Sequence, residues 1–151
     1  MQTLTRSIAM IRKPAEHRSA WLARWQPHSN CYDFVMAEPL EEESFRECID
    51  REVSWVLQLE RRRDYLVANM AQINLDFCEA LPGDAHETHI MVAFYIVELY
   101  RKVAWERVDS DPENRWVTAS EIYAGQARDD RPIDPNLRFL IRHSEVIQPW
   151  Q

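Results

Sequence analysis

The stretch AEPLEEESFRECIDREVSWVLQL, residues 37–59, sets five glutamates, Glu38, Glu41, Glu42, Glu43 and Glu47, ahead of the pair Arg51-Glu52. Carboxylate oxygens gathered in one place are what a hard cation such as Mg2+ requires, so these acids are candidate metal ligands. An acidic run at a helix start is equally a solvated face favoured by the positive end of the helix dipole. Arg51 and Glu52 read either as part of a ligand site or as an ion pair that anchors a helix to a loop. A second cluster, HETH at residues 86–89, lacks the His-Glu-x-x-His spacing that puts two imidazoles on one helical face, and it reads as a polar loop.

Several classes of chemistry are excluded by composition. With only two glycines, Gly83 and Gly125, the chain holds neither a P-loop nor a dinucleotide-binding glycine fingerprint. A net charge of -7 argues against a partner that is long nucleic acid, because phosphate-backbone binding needs a basic surface. Cys31, Cys48 and Cys78 are odd in number and without a Cys-x-x-Cys pair, so they read as free, mostly buried thiols of a reducing compartment. No apolar run suits a signal peptide or a membrane span, and a cytoplasmic protein without membrane contact is expected. The length of 151 residues suits one domain, 1–151, and leaves little room for a second.

Stepping along the chain, residues 7–12, 19–25 and 31–36 read as three strands joined by polar loops carrying Pro, His and Asn. The period then changes. Ser44 and Glu47 form a capping-box pair, and Phe45, Cys48, Ile49, Val53, Val56 and Leu57 recur at helical spacing, predicting a helix of about four turns. Its end is expected near the basic run Arg61-Arg62-Arg63, which suits the negative end of the dipole. Residues 65–80 read as a strand, and His89–Tyr100 (HIMVAFYIVELY) as a central strand covered on both faces. A turn is expected at 109–114, a short strand and a one-turn element over WVTASEIYAG, and a last helix starting at Pro135. This order predicts an α+β layered domain with a mixed sheet.

Segment 37–59 resembles the Nudix box, whose pattern is Gly, five residues, Glu, seven residues, Arg-Glu, an aliphatic, any residue, Glu-Glu, any residue, Gly and an aliphatic. Glu43, Arg51, Glu52, Val53 and Leu59 match without a gap; Ala37 stands for the first glycine, Trp55 and Val56 for the paired glutamates, and Gln58 for the last glycine. The surrounding elements, including HETHIMVAFYIVELY and NRWVTASEIYA, are also similar in order to a Nudix domain. The resemblance implies an α/β/α sandwich with a mixed central sheet. It further implies a helix face at residues 52, 55 and 56 that carries carboxylates for Mg2+ or Mn2+ and directs water onto a diphosphate. Here that face reads Glu52, Trp55, Val56, and Ala37 and Gln58 are expected to fit poorly where glycine permits unusual backbone angles.

A catalytically impaired Nudix-like module that binds a ligand or a protein partner is therefore the first expectation. Glu52 and Glu43 are its vestigial metal ligands, and Arg51 and Trp55 its candidate ligand contacts. No cofactor is assigned to this form. The alternative is an active hydrolase of a nucleoside diphosphate linked to another group, using Mg2+ or Mn2+ in a site rebuilt from Glu38, Glu43, Glu47 and Glu52, with Asp84 or Glu87. The resemblance makes a diphosphate-containing small molecule the expected ligand. Trp21, Trp25, Trp55, Trp105, Trp116 and Trp150 supply candidate base-stacking faces. A homodimer through an apolar helix face is a further expectation.

Overall fold

The computed structural model describes residues 1–14 and 18–151; Ala15, Glu16 and His17, in the loop expected between the first two strands, lie outside the described residues. In chain order the elements are β1 (Gln2–Lys13), β2 (Ala20–Gln26), β3 (Cys31–Asp33), β4 (Met36–Ala37), α1 (Phe45–Leu57), β5 (Tyr65–Val67) and β6 (Ile73–Ala80). They continue with β7 (Glu87–Leu99), α2 (Lys102–Ser110), β8 (Asn114–Thr118), α3 (Ala119–Ala124) and α4 (Pro135–Ser144).

β1 and β7 run parallel over ten residue pairs, from Gln2 opposite Thr88 to Ile11 opposite Val97, and form the spine. β5 and β6 lie antiparallel along the other side of β7. β1 also pairs with β4 at Ser7–Ile8 and with β2 at Arg12–Lys13, so it carries the chain from one part of the sheet into the other, where β3 and β8 flank β2. The sheet is thus mixed.

Strand alternation divides the spine's side chains between two cores. Ile8 and Met10 of β1, with Ile90, Val92 and Phe94 of β7, pack towards Ile122 of α3 and Leu137, Leu140 and Ile141 of α4. Ala9 and Ile11, with Ala93, Tyr95 and Val97, pack towards Ile49, Val53 and Leu57 of α1 and Ala104 and Val108 of α2. Helices therefore cover both faces, which is the α/β/α sandwich. Burying each of the Val, Leu, Ile, Met and Phe side chains among them contributes about 1.5–3 kcal/mol, and this burial holds α1 against the sheet. Among the described residues no helix is long and apolar enough to cross a membrane.

Three expectations about strands and turns need correction. The strand expected over 31–36 is two short strands, because the chain leaves β2 at Asp33 and joins β1 at Met36, burying Phe34 in one core and Val35 in the other. Residues 65–80 form β5 and β6, with the backbone between them leaving the ladder opposite Tyr95 and returning through Gln72 N–H to Phe94 O at 2.7 Å. Residues 102–110 form α2, so the expected turn begins only after Ser110. The cysteines are free and mostly buried, as expected: Cys31 and Cys48 lie inside the fold and Cys78 is exposed on β6.

Candidate functional site

α1 begins as its sequence indicates. The Ser44 hydroxyl accepts from the Glu47 amide and the Glu47 carboxylate accepts from the Ser44 amide, both at 3.0 Å, and these bonds hold the Glu47 carboxyl below its usual range. The helix ends at Leu57, short of the arginine run. Gln58 takes the left-handed conformation, φ 55°, that a terminal glycine would adopt more easily. Arg107 of α2 donates to the Gln58 carbonyl at 2.7 Å, so the cation at the helix end comes from another element. Ala37, by contrast, is extended in β4 opposite Ser7 and needs no special backbone angle.

The acidic residues of the segment are distributed among separate tasks. Glu43 is gripped by Arg51, whose Nε and Nη2 donate to its two carboxylate oxygens at 2.9 and 3.0 Å, while the Leu40 amide donates at 3.0 Å. The Arg51 bonds, with the Leu40 amide, depress the Glu43 carboxyl to about 2. Glu52 stands 3.4 Å from Arg51 Nη1. Among the described residues Glu38 reaches only Arg6, at 3.6 Å, and its side chain is 70% exposed. Asp84 and Glu87 are exposed around the β6–β7 loop. Among the described residues no three His, Cys, Asp or Glu side chains come close enough to share a metal ion. The donor set thus does not fit the carboxylate cluster that the Nudix resemblance implies for Mg2+.

A cleft of about 570 Å³ opens beside α1, lined among others by Arg6 of β1, Arg24 and Trp25 of β2, Asp33 of β3, and Glu52 and Val56 of α1. Residues 52 and 56 lie about 40° apart around the helix axis, whereas 55 is about 100° from 56. Glu52 and Val56 accordingly share the cleft, but Trp55 does not. Its side chain is 73% exposed on a different surface, a correction to the expectation that all three project into one cavity.

Sequence reading did not select Arg6, Arg24 or Asp33. Arg24 Nη1 donates to Asp111 at 2.8 Å and to Asn114 at 2.6 Å, which fixes the guanidinium at the cleft wall and holds Asp111 below its usual range. Trp25 meets Tyr32 edge-on with centroids 5.2 Å apart, and Arg131 lies 4.7 Å over its ring. Burial, with the negative charge of Asp134, pushes the Asp33 carboxyl up to about 8 against the opposing Phe34 amide bond. A carboxyl so tuned exchanges its proton near neutral pH and can either donate or accept a hydrogen bond within the cleft. The available signal was a lone charge inside each apolar strand, SAWLARW and CYDFVM. Burial pushes the Cys48 thiol up to about 11, which keeps it in the unreactive thiol form near neutral pH. His89 pairs with Asp76 across β6 and β7 at 2.7 Å, and His86 is exposed.

Comparison with sequence families gives no match, and no curated protein matches the chain by sequence. Solved structures do match. The Ap4A hydrolase of C. elegans superposes over 98% of this chain and 96% of its own, with a TM-score of 0.61 at 6% identity. The chain adopts the Nudix fold. RenU, a Nudix hydrolase from M. smegmatis, matches over 99% of this chain and 90% of its own, with a TM-score of 0.55 at 12% identity. NrtR of Shewanella oneidensis, in complex with a 27mer DNA, matches over 93% of this chain with a TM-score of 0.57 at 10% identity. The present chain spans 59% of that protein's length.

Proposed function

We propose that the chain is a Nudix-fold binding module that holds a diphosphate-containing small molecule in the cleft beside α1 without hydrolysing it. The observation that carries this reading is the pairing of Glu52 with Val56, rather than with a second carboxylate, on the helix face lining the cleft. Asp33, Glu113 and Asp134 also line the cleft, but among the described residues no three such side chains come close enough to share a cation, and Glu52 itself stands 3.4 Å from Arg51, so Mg2+, which surrenders water reluctantly, is offered little in return. Arg6, Arg24 and His28 supply positive or neutral donors along the cleft, and Trp25 an aromatic wall for a base or other planar group. That the C. elegans neighbour is an Ap4A hydrolase makes diphosphate derivatives the first ligands to test.

The competing reading, a hydrolase with a rebuilt carboxylate site, requires Glu38, Glu43, Glu47 and Glu52 to converge. Instead Glu43 serves Arg51, Glu47 serves the helix cap and Glu38 reaches Arg6. Calorimetric titration with Mn2+ and Mg2+, followed by a phosphate-release assay on Ap4A and nucleoside diphosphate derivatives, separates the two. The binding module gives metal affinities of about millimolar or weaker and no turnover, while a bound diphosphate compound raises the melting temperature. Metal-dependent release that Glu52→Gln abolishes would establish the hydrolase.

A further inference from the structure

The surface at the C-terminal end of α1, away from the cleft, sets an exposed tryptophan among arginines. Trp55 is 73% exposed beside an open depression of about 450 Å³. Leu59, Arg51, Arg61 and Arg107 also line it. Each side chain around the rim is held differently. Gln58 Nε2 donates to the Trp55 carbonyl at 2.6 Å and Ser54 Oγ to the Leu59 carbonyl at 2.8 Å, which ties the last turn of α1 to the residues that follow it. Arg107 is anchored through one nitrogen to the Gln58 carbonyl, leaving its remaining donors outward. Glu60, the one acid at the rim, faces Arg63 at 3.4 Å. Arg61 is exposed and has no side-chain hydrogen bond or ion pair among the described residues.

We infer that this patch is a docking site for an acidic segment of a protein partner, with Trp55 as its apolar anchor and Arg61 and Arg107 as its carboxylate contacts. Charge complementarity selects this occupant. The chain carries a net charge of -7, so an acidic partner is repelled overall, while the lining around Trp55 holds three arginines against one acid and so attracts and orients it locally. Tryptophan and arginine are the residues most enriched at the energetic centres of protein interfaces, where surrounding contacts exclude water from them. A small ligand fits less well, because small-molecule sites enclose most of the ligand and this depression leaves the indole open to solvent. The inference does not depend on what occupies the cleft.

The test is fluorescence anisotropy of the intact chain with a fluorescein-labelled twelve-residue peptide in which Glu alternates with Leu and Phe, against the same peptide with Lys for Glu. The Glu peptide binds and the Lys peptide does not. Trp55→Ala and, separately, Arg61→Glu weaken binding at least about tenfold, as expected for the anchor and charge contacts of a hot spot. Raising NaCl from about 50 to about 300 mM weakens it several-fold. Both substitutions are at exposed positions, and an unchanged urea midpoint shows that the variants are folded. Equal binding of the two peptides, no binding by the unaltered chain, or an indifferent Trp55→Ala overturns the inference. So does concentration-dependent self-association that Trp55→Ala abolishes in sedimentation, which would assign the patch to a second copy of this chain.

Discussion

Glu43→Gln discriminates a structural from a metal-binding role for the first glutamate of the box-like segment. The folded chain gives Glu43 two hydrogen bonds from Arg51 and one from the Leu40 amide, with side-chain exposures of 15% for Glu43 and 31% for Arg51. Charge-assisted bonds contribute about 1.5–3 kcal/mol when well shielded; allowing for solvent at this rim, the substitution costs about 1–2 kcal/mol at pH 7. The sign of the pH dependence follows from the carboxyl being held at about 2 in the folded chain, below its unfolded value. The stabilisation is complete above the unfolded value of about 4.3 and falls to about half by pH 3. The assay is urea unfolding followed by tryptophan fluorescence at pH 7 and pH 3. At pH 7 the midpoint of Glu43→Gln should lie lower by roughly 0.5–1 M, and the gap should narrow at pH 3. Identical midpoints at pH 7, or a gap undiminished by acid, would refute the ion-pair account. Protection by Mn2+ that Glu43→Gln removes would show instead that the carboxylate is a metal ligand.

Four further outcomes follow from the same geometry. Asp33, pushed up to about 8, keeps a proton that the unfolded chain releases, so stability falls as pH rises from the ordinary carboxylate range to that value. Asp33→Asn should therefore raise stability by about 1–3 kcal/mol at pH 8.5 and by little near pH 4, read from melting temperatures across that range. Gln58→Gly should raise stability by about 0.5–1 kcal/mol in urea unfolding, because glycine adopts the left-handed cap without steric cost. Arg107→Ala should lower stability by about 0.5–1 kcal/mol through loss of the bond to the Gln58 carbonyl, with a smaller difference at high salt. Val56→Glu places a second carboxylate beside Glu52 at the cleft and should tighten Mn2+ binding at least about tenfold in calorimetry; unchanged affinity would mean that the cleft face of α1 does not set metal binding.

The parts of the fold legible in sequence are those fixed by contacts local in the chain. Ser44 and Glu47 announce the start of α1, and the unbroken apolar run of β7 requires cover on both faces. α2 escaped notice because its buried side is only Ala104 and Val108, and Arg101 at its start offers no side-chain cap. The division of 65–80 into β5 and β6 depends on pairing with β7, from Tyr65 opposite Leu99 to Ala80 opposite Glu87, which no local period encodes. The end of α1 was misplaced because the arginine run suggested local capping, whereas the cation is Arg107, supplied from α2. Within the site, the carboxylates were visible as residues but their partners were not. Asp33 and Arg24 come together at the cleft through strand pairing, with Arg24 opposite Asp33 across β2 and β3.

The residues that match the Nudix pattern also have evident structural work here. Glu43 and Arg51 tie the turn before α1 to the helix, Val53 is buried against the sheet, and Leu59 is buried in the same core. Trp55 and Val56, where the pattern departs, are respectively exposed and half-buried. A buried match is costly to lose, since removing a large apolar side chain leaves a cavity worth about 2–5 kcal/mol, whereas an exposed position changes stability by about 0.5 kcal/mol or less. The scaffold half of the motif therefore resists change on stability grounds alone, whether or not a cation is held. On our reading of the cleft, α1 has kept the anchors that hold a Nudix helix to its sheet and turned the positions freed from metal to other contacts: Val56 to the cleft wall and Trp55 to the outer surface.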